Sequence, residues 1–79
     1  MELHLIDGQF STTDAIAIIS QLIEVKIKYH ENMIKNSHNE EDIKMREGKI
    51  KALQKELADS RTYMQNQKDS IYIKSTINL

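Results

Sequence analysis

The chain has no cysteine, no proline and no tryptophan, and its 79 residues include only two glycines, three tyrosines and one phenylalanine. Without cysteine there can be no disulfide framework and no thiolate metal site, two common supplements to the thin core of a small domain. Neither sign of charge is in excess. Lys plus Arg total 11 against 12 Asp plus Glu, for a net charge of -1, so nothing electrostatic draws the chain toward nucleic acid or anionic lipid. Long apolar runs are missing too. The longest, Ala15 to Ile19, falls far short of the roughly 20 residues that cross a bilayer, and no membrane partner is expected. The opening Met1-Glu2-Leu3-His4-Leu5 lacks the basic region, apolar stretch and cleavage site of a secretory signal, so a cytoplasmic location is expected. Twelve isoleucines, nine lysines and five asparagines fit the drift of an AT-rich bacterial genome.

What is present reads as one domain, 1–79, of β-α-α-β order. Residues 2–6 alternate as a short strand, and Asp7-Gly8 is a turn signal expected to end it. Ser11-Thr12-Thr13-Asp14 reads as a helix N-cap with an acid at the third helical position, and Phe10 before it can staple onto Ala15. A helix is expected over about 11–36. Placed at about 100° per residue, its apolar side chains fill an arc of about 200°, leaving Ser20, Gln21, Glu24, Lys28, Glu31, Asn32 and Lys35 on the polar side. Such a helix needs cover from at least two directions. A polar loop follows, in which either Ser37 with Glu40 or Asn39 with Asp42 can cap a second helix, expected over about 40–69. Its apolar series Ile43, Ile50, Leu57, Met64 and Ile71 recurs every seven residues and, with Leu53, spans only about 80°, a narrow coiled-coil-like seam. Residues 71–78 alternate again in β-branched side chains and read as a strand.

The short loop makes the helices an antiparallel hairpin, and pairing residues whose numbers sum to about 76 sets Met33 against Ile43, Leu22 against Leu53 and Ile19 against Leu57. The expected fold class is thus α+β, mainly α: an antiparallel two-helix hairpin flanked by short N- and C-terminal β-strands. One narrow seam covers only half of the first helix's arc. A chain this small hides only about 60% of its unfolded surface and keeps ~3–5 kcal/mol of net stability. Leaving half the excess isoleucines wet would cost a similar amount, at ~1.5–3 kcal/mol each. A four-helix-bundle homodimer is therefore expected, with Ile16, Ile19, Ile23, Ile27 and Ile34 at the dimer or partner interface. The strands can pair within or between subunits.

No catalytic constellation stands out. Lys26 and His30 interrupt the apolar arc four residues apart, and with Arg46 and Glu47 they form the one polar set that could line a site between the helices. The plainer expectation is that Lys26 runs along the helix to water, His30 bonds Glu47, and Arg46 and Arg61 make interhelical or intersubunit pairs. His4, His30 and His38 have no metal-ligand spacing, and neither a Gly-rich phosphate loop nor a Gly-x-Ser-x-Gly elbow occurs, so no metal and no cofactor is expected. Lys44, Lys51 and Lys55 form a stripe that could touch a phosphate backbone. The pairs Glu24–Lys28, Glu31–Lys35, Glu40–Lys44 and Glu47–Lys51 favour a self-paired, solvated surface instead. Met45, Ala52 and Tyr63 form a mild apolar patch opposite the second helix's seam. The resulting expectation is a small non-enzymatic homo-oligomeric interaction or scaffold module, reaching another protein through a helix face or strand edge. A nucleic-acid-associated regulator using the lysine stripe is the alternative. A ligand-binding protein or enzyme with a site between the helices is weaker still.

Overall fold

In a computed structural model covering residues 1–79, the chain runs β1 (Glu2–Phe10), α1 (Thr12–Lys35), α2 (Glu40–Gln65) and β2 (Ile71–Asn78). It is a mainly helical β-α-α-β fold with one two-stranded antiparallel sheet. Each helix starts where a short polar side chain satisfies amide groups that the helix itself leaves unpaired. Ser11, in extended backbone, accepts from the Asp14 N–H at 3.1 Å. Asn39 accepts from Glu41 and Asp42 at 2.9 and 3.2 Å. Asn39 is therefore the second cap, but no reciprocal box closes: Ser37 Oγ takes the Asn39 N–H at 3.2 Å, and the Asp42 carboxylate turns instead to Arg46. Glu40, Glu41 and Asp42 occupy the first turn of α2, where the helix dipole favours acids.

Three features differ from the sequence expectation. β1 runs through Asp7-Gly8 to Phe10, with Gly8 opposite Ile73 and Phe10 opposite Ile71. No residue takes a positive φ, so the Asp-Gly pair is pulled into extended backbone by its cross-strand partners. The irregularity lies earlier, between His4 and Ile6, where Leu5 is the extra residue of a bulge. α2 stops at Gln65, short of the expected 69, with the Asn66 N–H bonded back to Tyr63 and Met64, and Ile71 opens β2 as its alternation with Ile73 predicts. The i, i+4 ladder also fails to form. Apart from His4 with Glu2, the only ion pair is Asp42–Arg46, at 3.2 Å, as expected where water screens long exposed side chains and ordering them costs entropy.

The ribbon turns Ile6, Gly8, Phe10, Ile71, Ile73 and Ser75 to one side, all at least half-buried. That side meets the open end of the hairpin. Ala15 (0% exposed), Met64 and Ile73 form the central cluster there, with Ile6, Phe10, Ile16, Ile18, Ile19 and Ile71 packed around it. Phe10, expected to staple onto Ala15, packs against the cluster that contains it.

Elsewhere the molecule is thin. Its Cα extents are 47 × 33 × 13 Å and its radius of gyration is 15.1 Å, against about 12 Å for a globular chain of this length. It exposes 6174 Å², whereas a folded monomer of 9.2 kDa exposes about 4,900 Å². Only five residues are buried and no large side chain is fully so, a small core even for a chain of this length.

Candidate functional site

Two cross-helix contacts fix which sides of α1 and α2 meet. Arg61 Nε donates to Ser20 Oγ at 3.2 Å, and Arg46 Nη1 donates to His30 Nδ1 at 3.1 Å. Ser20, on the polar side of the sequence projection, is in fact buried, because α2 approaches there and Arg61 satisfies its hydroxyl. Ile16, Ile23, Ile27 and Ile34 lie within about 60° of Ser20 and His30 on a helical projection, so they line this seam, and Ile19 joins the cluster under the ribbon. All five are half-buried within the single chain.

Of the polar set, the structure brings Lys26, His30 and Arg46 together and leaves Glu47 out. His30 takes Arg46 as its partner, not Glu47, which is exposed with no hydrogen bond or ion pair. Arg46 lies between three groups: its Nε binds Asp42, its Nη1 binds His30, and its guanidinium stands 5.7 Å from the centre of the Tyr29 ring. Tyr29 in turn meets His30 edge-on at 5.4 Å. Arginine carries only donors, so His30 Nδ1 must be the acceptor, and the imidazole is neutral with its proton on Nε2. The electrostatics agree. Desolvation, then Arg46, Lys49 and Lys26, hold the His30 pKa below its ordinary value.

Beside this contact, Lys26 and His30 of α1 and Lys49, Ala52, Leu53 and Glu56 of α2 line an open groove of about 270 Å³. It offers two ammonium groups, one imidazole and one carboxylate, with no nucleophile–base hydrogen bond among them, and no three His, Asp or Glu converge as a metal would require. Lys44, Lys51 and Lys55 are exposed on the far side of α2. No helix is long and apolar enough to cross a membrane.

The larger feature is what flanks the groove. Val25 is 66% exposed, Tyr29 56%, Met33 39%, Met45 48% and Tyr63 66%. On the helical projection Leu22, Tyr29 and Met33 lie on the Lys26 side of α1, with Val25 just beyond; Met45, Ala52 and Tyr63 lie on the Glu56 side of α2. Lys26 and Glu56 share one groove, so these residues flank a single face of the hairpin. The sequence signal for the α2 half was the Met45, Ala52, Tyr63 patch. For the α1 half it was the spacing of 18, 22, 25, 29 and 33 within an arc too wide to divide by projection alone. Compared with protein-family models, with curated proteins and with solved structures, the chain matches none.

Proposed function

We propose that this chain is a non-enzymatic homodimeric interaction module, in which two hairpins combine into a four-helix bundle and the ribbon edges and outer helix faces remain available to another protein. The observation that carries this reading is the surplus of surface. One chain exposes about 1,200 Å² more than a folded monomer of its mass, and an ordinary specific interface takes about 800 Å² from each partner. Apolar side chains contribute to the exposed surface: Val25, Tyr29, Met33, Met45 and Tyr63 are between 39% and 66% exposed, and exposed apolar side chains grouped on one face mark association sites. The open groove, with no nucleophile–base pair, gives less support to catalysis than the flanking face gives to association.

Light scattering coupled to size exclusion, over a wide concentration range, tests the reading. A mass of twice 9.2 kDa is expected. A folded monomer at every concentration would overturn it.

A further inference from the structure

We infer that the partner on the groove-bearing face is a second copy of the chain, stacked face to face about a two-fold axis that crosses α1 near residue 24 and α2 near residue 54. The inference rests on the homodimer reading and specifies which face closes and in what register.

Along this face α2 presents Met45, Lys49, Ala52, Glu56, Asp59 and Tyr63, a stripe with its cation toward one end and its acids toward the other. A two-fold axis perpendicular to the helices runs each helix antiparallel to its own copy and pairs positions of constant sum. With a sum of about 108 on α2, Met45 meets the partner's Tyr63, Lys49 meets the partner's Asp59, and Ala52, small enough for close approach, meets the partner's Glu56. The stripe is therefore its own complement. Lys49 and Asp59 have no ion partner within their own chain, so both are free for this contact.

The same axis serves α1. With a sum of about 47, Leu22 meets the partner's Val25 and Ile18 meets the partner's Tyr29, apolar against apolar at the middle of the helix, while toward the ends Met33 lies beside the partner's Asp14. The centres, near 24 and 54, lie opposite each other in the hairpin, between the His30–Arg46 and Ser20–Arg61 contacts. One axis therefore serves both helices, and Val25, Tyr29, Met45 and Tyr63, left wet in the monomer, are covered by the partner.

Charge exchange tests this register. Lys49→Glu and Asp59→Lys each turn both symmetric pairs repulsive and should weaken the dimer about tenfold, read as dissociation constants by sedimentation. The double variant Lys49→Glu/Asp59→Lys should recover the original affinity, and an equimolar mixture of the two single variants should associate more tightly than either alone. These positions are ten residues apart on one helix, too far for rescue within a chain. Because the chain has no cysteine, Ala52→Cys should cross-link to a covalent dimer with a short bis-maleimide, while Gln54→Cys, on the other side of α2, should not. A chain that is dimeric but indifferent to the charge variants, or that cross-links only through Gln54→Cys, overturns the inference and leaves the homodimer standing. A monomeric wild type overturns both.

Discussion

The two ends of the hairpin are built from different materials. At the open end the ribbon lies on the helices and shuts Ala15, Met64 and Ile73 away from water. Toward the loop nothing lies on the helices. They are joined there by a polar chain running from Asp42 through Arg46 to His30, while Tyr29, Met33 and Met45 stay exposed. Apolar burial is worth more per contact than a partly solvated hydrogen bond, which exchanges one good partner for another. Stability in a single chain is thus concentrated at the open end.

Mutations that break this contrast should differ in size. Ile73→Ala empties the middle of the open-end cluster and is expected to cost about 2–4 kcal/mol in urea titration, most of the stability a core of this size supplies. A loss below 1 kcal/mol would show that the ribbon does not carry the core. Arg46→Ala at the loop end removes an ion pair, the bond to His30 and a contact with Tyr29 at once. A loss of about 1–2 kcal/mol is expected, with the far-ultraviolet dichroism unchanged. A cost equal to that of Ile73→Ala would erase the distinction between the ends.

The finest test is pH. Desolvation and three neighbouring cations hold the folded-state pKa of His30 below its ordinary value, so the unfolded chain takes up the proton first. The stabilisation is fully present above the unfolded pKa of about 6.5 and is lost as pH falls through the folded value. Urea midpoints between pH 8 and 5 should therefore fall on the acid side in the wild type, and the fall should be shallower in His30→Gln. Identical profiles would mean that the Arg46–His30 bond does not couple to folding.

Much of this was readable in advance, for reasons that are local. Ser11 and Asn39 announce the helices because a short side-chain acceptor next to unpaired amides acts within three residues. The alternation of Ile71 and Ile73 announces β2 because cross-strand side chains repeat every two residues. Where local and tertiary signals competed, tertiary pairing won: Asp7-Gly8 has turn chemistry, yet Ile73 and Lys74 across the ribbon hold it extended. Ser20 and His30 were misjudged in a related way. Their partners, Arg61 and Arg46, come from 41 and 16 residues away, and a projection of one helix does not say from which side the other arrives.

The amino-acid sequence by itself determined the element order, the caps and the excess of apolar surface on α1, because composition and periodicity act along the chain. Only the tertiary structure decided which part of that surface is spent inside the hairpin and which is left over. Ile23, Ile27 and Ile34 go to the seam, and Val25, Tyr29 and Met33 remain in water, because the rotation of α1 is set by where the side chains of α2 can pack and bond.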